Sequence, residues 1–88
     1  MDLIAWEEET LVFVEVKSRT SEDFGPPDRA VDEEKRYSLT RAAIDYARRS
    51  DIPLSKIRFD VVNVVLSTPP ALTHYRDVFT IETVVNTN

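Results

Sequence analysis

The stretch TLVFVEVKS at residues 10–18 constrains the fold more than any other part of this chain. Its apolar residues favour strands, and they enclose a carboxylate at Glu15 and an ammonium at Lys17. Because side chains alternate across a strand, these two charges point to the same face. Burying them costs several kcal/mol per ion unless each is paired or holds a metal. The stretch is therefore either a half-exposed strand with a surface ion pair or a buried strand that ends in a functional site.

A second strand-like segment comes just before it. Residues 2–6, DLIAW, form a short apolar run that the acidic triplet EEE separates from the first one. Two such runs around a short polar connection predict a β-hairpin. A turn over residues 7–10 brings Asp2 opposite Glu15 in this hairpin, so two carboxylates are expected side by side.

The middle of the chain predicts one helix. Residues 19–28, RTSEDFGPPD, collect the only glycine and two prolines into a loop. The helix is expected to begin at Pro27 or Asp28 and to carry Arg48 and Arg49 in its last turn, where they complement the helix dipole. The core-facing residues predicted from the helical spacing are Val31, Leu39, Ala42, Ala43, Tyr46 and Ala47. The residues expected to face outward are Arg36, Thr40, Arg41 and Arg48.

The last third predicts a long strand and a closing element. Residues 57–66, IRFDVVNVVL, read as a mostly buried strand that STPPA ends. In the tail, residues 78–85 suit a strand, whereas residues 74–79 also suit a turn of helix. The order of elements predicts an α/β fold, a small mixed β-sheet with one main helix packed on it.

Length and composition limit the classes of protein. At 88 residues the chain suits a single domain, residues 1–88, with a small core that is expected to include Trp6 and Phe13. The absence of cysteine excludes disulfides, thiolate zinc sites and cysteine nucleophiles. The lack of cysteine also fits a reducing compartment, so we expect a cytoplasmic protein. The N-terminus lacks the basic region of a signal peptide, and no apolar run approaches the roughly 20 residues that span a bilayer.

The net charge of −5 is unevenly distributed. Residues 1–34 hold eleven acids and three bases, residues 35–58 hold two acids and seven bases, and residues 59–88 hold three acids and one base. The overall charge argues against a protein that coats nucleic acid by bulk attraction. The basic middle segment is either a solvated helix face or a set of phosphate contacts. The candidates for such contacts are Lys35, Arg36, Arg41, Arg48 and Arg49, with Lys56 as a sixth.

Two carboxylates and an ammonium at one strand end suit metal-assisted hydrolysis of a phosphodiester. Carboxylate oxygens are ligands that hard divalent ions such as Mg²⁺ or Mn²⁺ prefer. The expected metal ligands are Asp2, Glu15 and the carbonyl oxygen of Val16. Lys17 is expected to offset the negative charge that accumulates in the transition state.

Two further polar residues are open to a structural interpretation. His74 is the only histidine, so a zinc site is not expected, and its role is structural or that of an exposed side chain. Asp60 shares a strand face with Arg58. We expect Asp60 either to pair with Arg58 or a backbone donor, or to act on the site through its ligands.

Five segments of the chain resemble, in the same order, the YraN-like family of small uncharacterised bacterial proteins. They are DLIAWEEETLVFVEVKSR, the FG at residues 24–25, AVDEEKRYSLTRAA, RFDVV and, with a looser match, HYRDVF. Asp2 followed by Glu-Val-Lys across a hairpin is also similar to the PD-(D/E)xK, or restriction-endonuclease-like, nucleases. The resemblance covers nearly all of the chain. It implies a restriction-endonuclease-like core, with Asp2 and Glu15 as metal ligands, Lys17 as the catalytic lysine and nucleic acid as the substrate.

One difference accompanies the resemblance. Members of the YraN-like family usually begin with a helix that carries a glutamate and a strand that ends in Gly-Glu-Ile, ahead of this aspartate. Here the sequence starts at Met1, so we expect the first family helix to be missing. Three explanations stay open: the chain is a piece of a longer product, a second protomer covers the missing layer in a homodimer, or the chain is a relative that has lost the site.

The sequence therefore supports three hypotheses. The first is a Mg²⁺-dependent nuclease-like domain that hydrolyses phosphodiester bonds in DNA, including branched or damaged DNA. The second is a non-catalytic module that binds nucleic acid or protein and retains the nuclease fold. The third is a fragment that needs its missing N-terminal layer to fold.

Overall fold

The computed structural model describes residues 2–20 and 31–81, and these residues form a four-stranded mixed sheet with one main helix. The elements are β1 (Asp2–Glu7), β2 (Thr10–Thr20), α1 (Glu33–Ser50), a short 3₁₀ turn (Leu54–Lys56), β3 (Ile57–Leu66) and β4 (Ala71–Phe79). This confirms the predicted α/β class and the small mixed sheet that carries one main helix. Within the described residues, no helix is both long and apolar enough to cross a bilayer.

The strands lie in the order of the sequence, β1-β2-β3-β4. β1 pairs with β2 in an antiparallel hairpin, β2 pairs with β3 in parallel, and β3 pairs with β4 in an antiparallel ladder. The parallel pair requires a crossover, which α1 supplies. β2 and β3 are therefore the interior strands, and β1 and β4 are the edges.

Helix α1 starts later than the sequence predicted. Pro27 and Asp28 lie outside the described residues, and the helix begins at Glu33 after an N-cap at Asp32. The Asp32 backbone is extended, and its side chain accepts a 2.8 Å hydrogen bond from the Lys35 backbone N–H. The predicted start was wrong because DRAVDEE contains two residues of a type that caps helices, Asp28 and Asp32, and the sequence alone does not show which one does.

The core lies between α1 and one face of the sheet. Its members are Leu11, Phe13, Val31, Leu39, Ala43, Phe59, Val61 and Phe79. Phe59 stacks on Phe79 with ring centroids 4.3 Å apart and lies 5.9 Å from Phe13, so three aromatic rings connect β2, β3 and β4. Phe13 is buried as predicted.

Several burial predictions were wrong. Ala42 and Tyr46 are exposed, whereas Thr40, which was expected to face outward, is buried. The stripe that faces the sheet is therefore narrower and turned slightly relative to the predicted one. Trp6 is 56% exposed because β1 is an edge strand that α1 does not cover, so the prediction of a core tryptophan was also wrong.

The tail resolves one ambiguity. β4 is a continuous strand from Ala71 to Phe79, with an irregularity in its ladder between Phe59 and Val61 of β3. The alternative of a helical turn over residues 74–79 was therefore wrong. The strand predicted over residues 78–85 was also misplaced: β4 begins seven residues earlier, at Ala71, and only Val78 and Phe79 of the predicted range belong to it. Residues 82–85 lie outside the described residues. Of the predicted loop at residues 19–28, Arg19 and Thr20 belong to β2.

Candidate functional site

The hairpin places two carboxylates side by side. Glu7 pairs with Thr10 across a turn at Glu8 and Glu9, and counting back along β1 makes Asp2 the cross-strand partner of Glu15. Directly paired residues in an antiparallel ladder present their side chains on the same face, about 4.5–5.5 Å apart at Cβ. The predicted register is therefore confirmed, and we call Asp2 and Glu15 the carboxylate pair.

An ammonium group from the helix lies between the two acids. Lys35 Nζ is 3.0 Å from Asp2 Oδ2 and 3.2 Å from Glu15 Oε2. The Asp32 cap helps to set the position of Lys35, because its hydrogen bond with the Lys35 backbone N–H fixes the first turn of α1. The Glu15 side chain is 14% exposed, against 44% for Asp2 and 34% for Lys35, so the pair is open to solvent on the Asp2 side.

Each acid of the carboxylate pair shifts the pKa of the other. Burial raises the pKa of Glu15, and its hydrogen bond with Asp2 raises that pKa further. The same hydrogen bond lowers the pKa of Asp2, and Lys35 lowers it too against the opposing effect of burial. The two carboxylates in turn raise the pKa of Lys35. Two acids in contact favour a shared proton or a shared cation, because both cannot ionise without mutual repulsion.

One oxygen of the Glu15 carboxylate can accept a hydrogen bond or bind a metal ion. Oε2 is buried and has no hydrogen-bond partner among the described residues, although it lies within ion-pair distance of Lys35 Nζ. The described residues include no cluster of three or more acids, histidines or cysteines that would form a complete metal cage. Two carboxylates that already share the Lys35 ammonium are a suitable set of ligands for Mg²⁺. This ion is often held by one or two carboxylates, with waters and phosphate completing its coordination shell.

Val16 and Lys17, the other predicted site residues, continue along β2. Val16 directly follows Glu15 and pairs with Val62 of β3. Lys17 pairs with Asn63, is half-buried and shares the helix-side face of β2 with Glu15. The fold therefore places both residues next to the carboxylate pair on an interior strand.

The five predicted phosphate-contact residues have different environments. Lys35 contacts the carboxylate pair, and Arg36 donates a 2.9 Å hydrogen bond to the Val31 carbonyl while lying 5.8 Å from the Phe79 ring centroid. Arg41 and Arg48 are exposed and line an open groove of about 550 Å³ on α1. Arg49 is exposed and pairs with Asp45 at 3.2 Å.

A second charged cluster lies on the opposite face of the sheet, and we call it the Asp60 cluster. Asp60 accepts two 2.9 Å hydrogen bonds from Arg58 and one of 3.0 Å from the Asp77 backbone N–H, and it lies 2.7 Å from His74 Nε2. Arg58 also contacts Glu7 of β1 at 3.0 Å. Of the predicted alternatives, the pairing of Asp60 with Arg58 and a backbone donor is confirmed, and His74 has a structural contact.

Electrostatics support a structural role for this cluster. The Asp60 side chain is 0% exposed, and burial alone would raise its pKa. The hydrogen bonds from Arg58, from the Asp77 backbone and from His74 outweigh burial and hold the pKa of Asp60 below its usual value. The carboxylate therefore stays ionised and connects β1, β3 and β4 through its partners.

Sequence reasoning missed the position of Lys35 between the two acids. It grouped Lys35 with the basic residues of the helix, because the contact between Lys35 and Asp2 joins residues 33 positions apart in the sequence. One local signal was available: Asp32 is a residue type that caps helices, and Glu33 and Glu34 directly after it suit the positive end of a helix. A cap at Asp32 would have placed Lys35 in the first turn of α1, at the N-terminal end of the helix that comes after β2.

Comparisons with known proteins confirm the predicted YraN-like family, whose family model is described as UPF0102. The model of the "Uncharacterised protein family UPF0102" matches residues 1–64. A protein of that family from Solibacter usitatus is 49% identical over 79 residues, covering 90% of this chain and 60% of the relative. Others from Bifidobacterium longum and Nocardia farcinica are 46% and 43% identical, covering 77% and 90% of this chain and 56% and 64% of their own lengths.

The comparisons have two further results. The chain spans about 60% of the length of the first of these curated relatives. No solved structure matches the chain. Since the family model covers most of the sequence and several relatives exceed 40% identity, the chain belongs to the uncharacterised protein family UPF0102.

Proposed function

We propose that this chain is a nuclease-like domain that hydrolyses phosphodiester bonds in DNA with Mg²⁺ or Mn²⁺ as the cofactor. The observation that carries the proposal is the carboxylate pair. Asp2 and Glu15 are direct cross-strand partners, and each has an oxygen within 3.2 Å of the Lys35 ammonium. Pairs of acids on adjacent strands need a counter-charge, and a divalent ion provides a stronger one than an ammonium.

Each site residue has a distinct part in the proposal. Asp2, Glu15 and the Val16 carbonyl would hold the ion, which would supply Lewis-acid polarisation of the phosphoryl oxygen and a more acidic attacking water. Lys17 lies on the same face two residues beyond Glu15, where its ammonium stabilises the negative charge that develops on the phosphate.

The exposed basic residues of α1 suit the contacts that hold the nucleic-acid backbone. Arg41 and Arg48 line the same groove and project into solvent, where they are available to phosphates. Arg48 lies 13 residues after Lys35, so about 20 Å of helix separates it from the carboxylate pair. We therefore assign Arg41, Arg48 and Arg49 to phosphates flanking the reacting one and not to the reacting group itself.

Cleavage assays test the proposal. Linear and branched DNA duplexes are incubated with the chain in Mg²⁺, Mn²⁺ or EDTA, alongside Asp2→Asn and Glu15→Gln. We expect metal-dependent cleavage that each substitution lowers by about two orders of magnitude or more, because each removes a ligand charge. Glu9→Gln is the matched control, since Glu9 is an exposed acid at the other end of the hairpin. Absence of cleavage in both metals, or full activity of Glu15→Gln, would contradict the proposal.

One observation favours a second candidate, a non-catalytic interaction module. Leu3, Ile4 and Trp6 of edge strand β1 are each about half exposed, and such apolar side chains on an open edge suit contact with another protein or a second protomer. This candidate predicts that Lys17→Ala leaves duplex or protein binding intact, with no cleavage in any divalent metal. Trp6→Glu would then abolish self-association in light scattering, if a homodimer covers this edge.

A further inference from the structure

The position of Lys35 carries a consequence for the proposed metal site, on which this inference rests. The ammonium lies 3.0 Å and 3.2 Å from one oxygen of each member of the carboxylate pair. A divalent ion held by the same two oxygens would lie about 2.0–2.1 Å from each if it were Mg²⁺. The two cations would therefore occupy overlapping space, so one excludes the other.

Charge balance leads to the same conclusion. When both acids are ionised, the carboxylate pair carries two negative charges, and the Lys35 ammonium offsets one of them. A divalent ion in place of the ammonium would offset both, whereas the divalent ion and Lys35 together, with Lys17 on the same face, would leave an excess of positive charge at a partly buried site. The exchange is feasible because Lys35 is on a flexible stem and is 34% exposed, so its ammonium can move into solvent.

We propose that Lys35 is a tethered competitor of the divalent cation, which holds the carboxylate pair together in the metal-free state and leaves when the metal binds. The apparent affinity for metal is then reduced by the fraction of time that the ammonium occupies the pair. Lys35 thus sets the metal concentration at which the site fills. It is a regulatory residue of the site, separate from the ligands and from Lys17.

Calorimetric titration with Mn²⁺ tests this inference without any assay of activity. Lys35→Met removes the charge and keeps a stem of similar length. Lys56→Met is the matched control, because Lys56 is paired at 3.9 Å with Glu9 of the same hairpin, away from the carboxylate pair. We expect Lys35→Met to bind Mn²⁺ roughly tenfold more tightly than the unsubstituted chain, since two weak ion pairs no longer compete. Lys56→Met is expected to match the unsubstituted chain.

A second measurement uses the unsubstituted chain, so it does not depend on the folding of a variant. The ε-methylene signals of lysines are followed by NMR during titration with Mg²⁺. The Lys35 signal is expected to move with the same midpoint as metal binding, because the ammonium changes from an ion pair to solvent. The Lys56 signal is expected to stay in place.

The outcomes separate this inference from the proposed function. If the chain binds Mn²⁺ and Lys35→Met binds it equally or more weakly, Lys35 is not a competitor, and the metal site itself stands. A Lys35 signal unmoved at saturating Mg²⁺ has the same meaning. If neither the chain nor Lys35→Met binds either metal, the proposed function fails and this inference fails with it.

Discussion

The two faces of the sheet hold charged clusters of opposite character. On the face opposite α1, Asp60 is fully buried and accepts hydrogen bonds from Arg58 and the Asp77 backbone, with His74 in contact. On the helix face, Glu15 lies against another acid, shares one lysine with it and keeps a buried oxygen with no hydrogen bond from the described residues. Both oxygens of Asp60 accept hydrogen bonds, whereas one oxygen of Glu15 does not accept one from the described part of the chain.

This difference suggests a structural role for the Asp60 cluster and a binding role for the carboxylate pair. A buried acid that is fully hydrogen-bonded stabilises the fold and has little capacity to bind anything else. The carboxylate pair instead shares one lysine between two acids and has a raised pKa at Glu15, and acids whose pKa is shifted by burial and by a neighbouring acid are frequent in binding and catalytic sites. The carboxylate pair is therefore the candidate site, and the Asp60 cluster is its structural counterpart.

The largest expected effect comes from Asp60→Asn. The substitution keeps the shape of the side chain but removes the charge that Arg58 and His74 face, and it leaves Arg58 poorly compensated. We expect a loss of about 3 kcal/mol in the free energy of unfolding, measured by urea denaturation at pH 7. Asp45→Asn, at an exposed helix pair, is the control and is expected to cost less than about 0.5 kcal/mol. A cost for Asp60→Asn similar to that of the control would remove the distinction between the clusters.

Acid titration of stability measures the same cluster in the native sequence. The pKa of Asp60 is lower in the folded chain than its ordinary value of 3.8, so the folded state binds fewer protons at acid pH. The stability that this ionised carboxylate contributes is therefore complete above its ordinary pKa and is lost as the pH falls through the lower pKa of the folded state. Urea denaturation between neutral pH and the acid limit of folding is expected to show a steeper loss in the unsubstituted chain than in Asp60→Asn. Equal slopes would contradict the assignment.

A smaller effect is expected at the cap that positions Lys35. Asp32→Ala removes the acceptor of the Lys35 backbone N–H and is expected to cost about 1 kcal/mol. It also loosens the first turn of α1, so the ion pairs between Lys35 and the carboxylate pair are expected to weaken. Urea denaturation gives the cost, and the Lys35 ε-methylene signal reports the ion pairs. Asp32→Asn, which retains a capping oxygen, is expected to preserve both quantities.

The smallest effect is expected at the carboxylate pair. The pKa of Glu15 is raised above its ordinary value of 4.5, so ionised Glu15 at pH 7 lowers the stability of the folded chain. Glu15→Gln removes this charge and its repulsion with Asp2, but it also removes one ion pair with Lys35. We expect the free energy of unfolding to stay the same or to rise by up to about 1 kcal/mol. A loss near that of Asp60→Asn would show that Glu15 serves the fold.

The sequence allowed much of this geometry to be predicted, for physical reasons. Strand alternation and the short polar turn set the hairpin register, so the pairing of Asp2 with Glu15 followed from local pattern. The order of apolar runs predicted the mixed sheet. These features depend on neighbouring residues, and they were accessible without coordinates.

Other features depend on packing between distant segments. The place of Lys35 follows from where α1 begins and how it crosses the sheet, and the sequence predicted too early a start. The exposure of Trp6 follows from the edge position of β1, which apolar content alone does not reveal. The contact of Asp60 with the Asp77 backbone crosses a strand ladder whose irregularity the sequence does not show.

The most direct test of the central claim is a calorimetric titration of Mn²⁺ into the chain and into Glu15→Gln, with Glu9→Gln as the control. We expect one ion per chain, with an affinity that Glu15→Gln lowers by at least about a hundredfold and Glu9→Gln leaves unchanged. Absence of binding to the unsubstituted chain, or equal affinities for all three chains, would contradict the claim that the carboxylate pair is a cation site.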